Sequence, residues 1–279
     1  EAQVGTLLGQ SEAVEALRRA VAFLQADPAG VEPGAGIPCY GFIPYPVVFV
    51  LLARWFSVFP EPDAEVRREL SRWVWRGVIT GVHQRAAVSK MRHQVREIAG
   101  DDMLAALRRL HDAVGEPPAP SWSLDSFHAK HAASRVELLA LLAREPRDLD
   151  GPVSWQALAL GGERVAREVY RTEELREQGD ETRALAKTVA NRVLLDTRHT
   201  GLRGELARWS WPKHRRELES HLIDEEAFAA LRARDPRRFL LHRASRVRAE
   251  VTKLLAQRAG IGEPRLLPLQ SYFDDASLP

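Results

Sequence analysis

Residues 187–221, KTVANRVLLDTRHTGLRGELARWSWPKHRRELESH, gather Asn191, Asp196, His199, His214 and His221. An imidazole titrating near neutral pH can take a proton from water. Oxygen and nitrogen donors beside it can hold a divalent ion that stabilises charge developing on a phosphodiester. No other part of the chain collects so many potential ligands and bases. The stretch also changes character along its length. An apolar, β-branched run at 188–195 leads into a polar, Gly-punctuated turn at 196–204. A short helical segment then ends in Trp209, Ser210, Trp211 and Pro212, followed by the basic cluster Lys213, His214, Arg215 and Arg216. This is the layout of a compact nuclease motif, in working or degenerate form.

The elements that must position these groups read as mostly helical. Ser11 can cap a first helix, in which Val14, Leu17, Val21 and Leu24 recur at helical spacing until Asp27-Pro28 ends it. Residues 28–46 are rich in Gly and Pro and read as loop. A second helix opens at Pro46 and is apolar nearly all round, as a buried bundle helix would be. Asp63 starts a third, with Leu70, Trp73, Val74 and Val78 inside and Arg67, Arg68, Arg72 and Arg76 outside. Gly77 and Gly81 permit a close approach or a stop. Trp75 is expected at a contact between subdomains. Helices near 85–99 and 101–114 follow, and EPPAP at 116–120 is a stiff linker. A helix over 124–144, a break at 144–152, a short strand at 165–170 and helix with loop at 173–187 lead into the focal stretch. Two closing helices are expected at 225–234 and 236–258, then a loose tail.

The fold class expected is therefore mainly α. A helical bundle domain at 1–119 precedes a mostly helical domain at 120–260 with a minor β element, and residues 261–279 form an extended tail. Composition sets limits on what such a chain does. With 279 residues, 45% hydrophobic and 28% charged, it is an ordinary globular chain. The net charge of +2 means that any nucleic-acid surface must come from local clustering of its 40 Lys and Arg. Cys39 stands alone, which excludes an internal disulfide and a thiolate zinc cage. The longest apolar run, 46–59, contains Arg54 and falls short of the about 20 residues a membrane span needs. A cytoplasmic protein without membrane contact is expected. Glu1 rather than Met opens the chain, as in a piece excised or processed from something longer.

Several segments together carry a likeness. In order they are LRRAVAFL, IPYPVVFVLLARWF, RRELSRWVWRGVITG, FHAKHAASRVELLALLAREPRDL, VANRVLLDTRHTGLRGE, SHLID and FLLHRASRV. Their order and spacing resemble the C-terminal half of the restriction proteins related to GmrS–GmrD and to the phosphorothioate-sensing SspE. The resemblance implies a helical domain embracing an HNH-type ββα-metal element that cuts DNA in anti-phage defence. It also implies an N-terminal sensing or nucleotide-binding half as partner, which is not in this chain.

In that family one His activates water, a divalent metal is held by His, Asp or Asn, and an Asn pins the loop between two strands. Asn191 matches the pinning Asn, and His199 takes the place before the final helix where a ligand is expected. The first strand departs from the pattern: where the family has a His and then a Pro, this chain reads AREVYRTEEL. The His position falls on Arg167 or Glu168, and the Pro on Arg171.

The resemblance thus gives catalytic His199 and Asn191, with Glu168 and Asp196 on a magnesium or manganese ion. Otherwise the site is dead, and the domain binds DNA or another subunit without cutting. Lys213, Arg215, Arg216, Arg237 and Arg238 would hold the duplex, with Arg243, Arg246 and Arg248 extending the second basic run. Each residue has a plainer use. Asn191 can bond its own turn, Asp196 can cap one, His199 can be a solvated loop residue, and Glu168 a surface carboxylate. His128 and His131 read as helix-surface histidines, and Trp209 and Trp211 as buried.

Overall fold

The computed structural model describes residues 10–84, 95–98, 102–148, 151–161, 165–195 and 206–262. The fold is mainly α, with two small two-stranded sheets among the described residues. The chain divides into two compact units. One runs from Glu1 to Pro120 and resumes at Leu255; the other is Ser121–Leu254.

In the first unit, helix Gln10–Gln25 packs on helix Val47–Val58, and the rings of Phe23 and Phe56 lie 5.6 Å apart. The inward face of the first helix is Ala16, Ala20, Phe23 and Leu24, whereas Val14, Leu17 and Val21 are about 40% exposed. The larger residues of the expected stripe are therefore turned outward, and only Leu24 of it is buried. Small Ala side chains on the inner face let the neighbouring backbone come close. The second helix buries Val48, Leu51, Leu52, Trp55 and Phe56 but leaves Val50 exposed.

Asp63 caps helix Ala64–Thr80 by accepting from the amides of Glu65 and Val66, both at 2.9 Å. Gly81, at φ 68°, ends it in the left-handed conformation that glycine tolerates. Gly77 serves a different end. The His83 ring lies so close that a Cβ on Gly77 would come within 1.9 Å of Nε2.

Two arginines expected outside this helix are inside. Arg72 is 7% and Arg76 4% exposed. Arg72 is paired with buried Glu69 at 2.7 Å, and Glu69 also faces His111 of helix Met103–Val114 at 3.4 Å. Arg76 donates to the Ala259 carbonyl at the end of the last helix, 3.0 Å away. Helix-period reasoning placed them outside because it had no partner to offer a buried guanidinium. Glu69 and an open helix C-terminus supply those partners. Trp75 is buried too, donating to the Ala35 carbonyl of its own unit at 2.9 Å rather than meeting a second subdomain. The helix expected at 85–99 lies largely outside the described residues.

In the second unit the helix expected over 124–144 is Ala132–Leu142 only. The segment before it is irregular, and part of its backbone is bonded elsewhere. The Phe127 amide bonds the Lys187 carbonyl at 2.8 Å, and the His128 amide bonds Ser134 Oγ at 3.0 Å. His128 and His131 thus precede the helix, with rings 4.7 Å apart. The break that follows forms a small antiparallel pair, β1 (Arg147–Asp148) with β2 (Gly151–Pro152). Helices Trp155–Gly161 and Asp180–Ala186 flank strand β3 (Ala166–Glu168), which pairs antiparallel with β4 (Arg192–Leu194). Helices Trp211–Ser220, Glu225–Arg232 and Pro236–Ala259 close the unit, the last continuing past Leu254 into the first unit's share of the chain. The core between sheet and helices is Val169, Tyr170, Val193, Leu195, Leu206, Trp209, Leu218, Ile223, Phe228, Leu231, Phe239 and Leu240.

Candidate functional site

The β3–β4 pair is short, and its two strands are far apart in sequence. Something must hold the long connection between them. The register sets Ala166 opposite Leu194, Arg167 opposite Val193 and Glu168 opposite Arg192. Beyond that end of the ladder the main chain alone gives one more bond, Val169 N–H to the Asn191 carbonyl at 2.8 Å.

The Asn191 side chain then takes over. Its Oδ1 accepts from the Tyr170 amide at 2.9 Å, and its Nδ2 donates to the Tyr170 carbonyl at 2.8 Å and the Ala186 carbonyl at 3.0 Å. The amide imitates a further strand residue, reading both polar groups of Tyr170. At 1% exposure, with both N–H bonds and its oxygen committed, Asn191 positions the connection.

Two residues hold Asn191 in turn. Thr188 Oγ1 caps the Val189–Asn191 turn by accepting from the Ala190 amide at 3.1 Å, and it donates to the Leu185 carbonyl at 2.7 Å. Arg243, fully buried, donates to the carbonyls of His221 and Val189 at 3.0 Å and to those of Ala190 and Arg192. Among the described residues no carboxylate pairs with its charge. Four backbone dipoles answer it, and burial pushes the guanidinium down to about 9. Arg243 corrects the sequence reading, which set it on a phosphate-facing surface with its arginine-rich neighbours. The signal missed is its company: Phe239, Leu240, Ala244 and Val247 are all buried, so position 243 falls on the inward face of the helix.

Glu168 is half-exposed at the same end of the strand pair, opposite Arg192. Arg192 Nη2 donates to its Oε1 at 3.0 Å. Arg192 is itself fixed by an Nη1 bond to the Ala166 carbonyl at 2.9 Å and by the Phe127 ring, 4.4 Å from its guanidinium carbon. The structure thus brings Glu168 and Asn191 to one strand pair but commits their polar atoms to different partners. Asp196 and His199 lie outside the described residues. Among the described residues no group of three His, Cys, Asp or Glu side chains is placed to hold a metal ion.

The two basic runs differ. Lys213, Arg215 and Arg216 stand in the first turns of helix Trp211–Ser220, which Pro212 opens and His214 kinks (φ −114°, ψ 23°). With Arg144, Glu145, Arg147, Glu219 and Ser220 they line a cleft of about 430 Å³. Arg237 and Arg238, by contrast, are paired with Glu181 at 3.2 Å and Glu226 at 3.1 Å. Arg246 is bound to Asp224, which also receives His242 Nε2 at 2.9 Å. Burial alone would raise the Asp224 carboxyl. The Ala227 amide, His242 and Arg246 together hold it down at about 2. Trp209 is buried in the core beside His214, and Trp211 packs toward Phe228.

Compared with models of protein families, with curated proteins and with solved structures, the chain matches none. The functional reading therefore stands on its residues and their geometry.

Proposed function

We propose that the chain is a DNA endonuclease domain of nuclease ββα lineage from a GmrSD-like bacterial restriction system. It would work in the cytoplasm beside an N-terminal sensing or nucleotide-binding half, and cut or nick DNA with magnesium or manganese. The observation that supports this reading is the Asn191 clamp. An asparagine entering the second of two antiparallel strands, its amide spent on pinning the connection from the first, is the device the resemblance implies. It occurs at the position that matches. Glu168 closes the first strand, where the family's His position falls on Arg167 or Glu168. In sequence, Asp196 and His199 follow the end of β4 by two and five residues. A divalent ion held by them would supply stabilisation of the charge developing on the phosphodiester. This chain's own part would be to fix β4 against β3 and to present a proton acceptor.

A second reading, DNA binding without cutting, is favoured by the Glu168–Arg192 pair. A carboxylate already held by an arginine is a poorer base than an imidazole, since its ordinary pKa is about 4.3. One experiment separates them. Supercoiled plasmid is incubated with the protein and magnesium or manganese, beside His199→Ala. Nicking or linearisation that disappears in the variant supports the endonuclease. No conversion by either protein, with a salt-sensitive gel shift retained, leaves the binding module.

A further inference from the structure

We infer that the cleft between β1 and helix Trp211–Ser220 seats a backbone phosphate of DNA, with Arg147 as its fixed cation. The inference takes its DNA from the reading above but does not depend on cleavage. Five cationic side chains line this cleft against two carboxylates, and one of those, Glu219, is already held by Arg215 at 2.9 Å. Sequence reading had only three of the five. Arg144 and Arg147 come from the break after helix Ala132–Leu142, and folding brings them to Lys213, Arg215 and Arg216.

Arg147 is held at both faces of its main chain. Its amide donates to Ser220 Oγ at 3.0 Å, and its carbonyl accepts from His221 Nε2 at 2.8 Å. Ser220 and His221 are the residues where the opposite helix ends, so strand and helix form one fixed junction. The same His221 gives its own carbonyl to buried Arg243, which ties the junction to the core.

The guanidinium side of the cleft, however, is unfinished. Among the described residues, the Nε atoms of Arg144 and Arg147 are buried without a hydrogen-bond partner. Arg144 reaches only Glu250, at 3.8 Å. A buried Nε is out of a ligand's reach, so a phosphate would be met by the terminal nitrogens of these side chains, and a planar guanidinium suits the oxygens of a phosphodiester. No aromatic side chain is among the lining residues to stack on a base. The contact would therefore fix position on the backbone without reading sequence.

The test is the salt dependence of binding by the full chain to a fluorescently labelled duplex, in EDTA so that no cutting intervenes. Affinity is followed by anisotropy from about 50 mM to about 200 mM salt. Arg147→Gln is expected to weaken binding by about tenfold and to lower the log–log salt slope by about one, the signature of one lost phosphate contact. Arg18→Gln, an exposed cation of the first helix that lies 3.6 Å from Glu15, is expected to change neither. Should Arg147→Gln melt early, the Lys213→Gln/Arg216→Gln double variant carries the test, with a slope lowered by about two. A parental slope in a folded Arg147→Gln protein, or an equal loss in Arg18→Gln, overturns the inference. So does the absence of any DNA binding at the lowest salt. Loss of the slope in a protein that never cuts plasmid leaves the phosphate seat standing and removes only the endonuclease.

Discussion

Two stretches of the second unit are about equally rich in arginine and do opposite things with it. At 213–216 the charges line a cleft with two further arginines and two acids, of which Glu219 is paired with Arg215. At 237–246 each described guanidinium is already answered: Arg237 by Glu181, Arg238 by Glu226, Arg246 by Asp224, and Arg243 by four carbonyls inside the core. The difference lies in what folding brings alongside, since the acids that quench the second run come from as far away as Glu181. A basic run in sequence is therefore only a supply of charge. Its use is decided by the elements packed against it.

The most damaging way to break this contrast is at Arg243. Replacing it with Leu keeps much of the volume but strands carbonyls of His221, Val189, Ala190 and Arg192 in the interior. A cost of about 3–5 kcal/mol is expected, the range for stripping one side of a buried polar arrangement. Urea unfolding measures it. Arg243→Leu at parental stability would mean the arginine is not holding the Val189–Asn191 turn.

Next in size is Asn191→Ala, which leaves both polar groups of Tyr170 and the Ala186 carbonyl without their bonds. A loss of about 2–4 kcal/mol follows from about 1 kcal/mol or more for each buried group left unsatisfied. Asn191→Asp should recover only the Tyr170 amide bond. A change no greater than that of an exposed substitution would reduce the clamp to an incidental contact.

How much of this was legible beforehand differs by residue. Asp63, Gly81 and the closing helices announce themselves through local chemistry: a capping carboxylate, a left-handed glycine and an apolar period. Asn191 was singled out because it matches the pinning Asn of the resemblance, against the plainer use of bonding its own turn, and its position next to Tyr170 required the strand pairing to become visible. Arg76 and Arg243 were misplaced because their partners, the carbonyls of Ala259 and Val189, lie far along the chain, where no local pattern encodes them. Arg72 has its partner Glu69 only three residues away, but that both are buried together, beside His111, becomes visible only once the helices pack. Arg147 lay in a segment read only as a break, so the cleft it completes could not be drawn from the sequence.

Acidity sharpens the contrast at His221, which links the buried arginine to the one in the cleft. Burial, reinforced by the charge of Arg243, pushes its imidazole down to about 4, against the pull of the Arg147 carbonyl and Asp148; His83 in the first unit is held near 4 by burial. A histidine lowered on folding contributes stability that is complete above about 6.5 and is lost as pH falls toward 4. Glu137 runs the other way. Burial lifts it to about 7, so its contribution is complete below about 4.5 and is lost as pH rises through 7. In urea midpoints taken across this range, Glu137→Gln should differ little from the parent on the acid side. It should gain steadily up to about pH 7. A difference independent of pH would show that Glu137 ionises as freely in the fold as outside it.

The smallest effect, and the most direct comparison of the two runs, is expected from Arg237→Gln with Arg238→Gln. Both side chains are more than half exposed, and ion pairs in such surroundings are worth about 0–1 kcal/mol, so the melting point should hardly move. Because Glu181 and Glu226 already offset these charges, removing them should leave the salt slope of DNA binding as it was. If instead the slope falls by about two, DNA displaces the carboxylates and the second run is as much a phosphate surface as the first. The contrast would then reflect the unbound molecule alone, and the footprint on DNA would extend from the cleft to the start of the last helix.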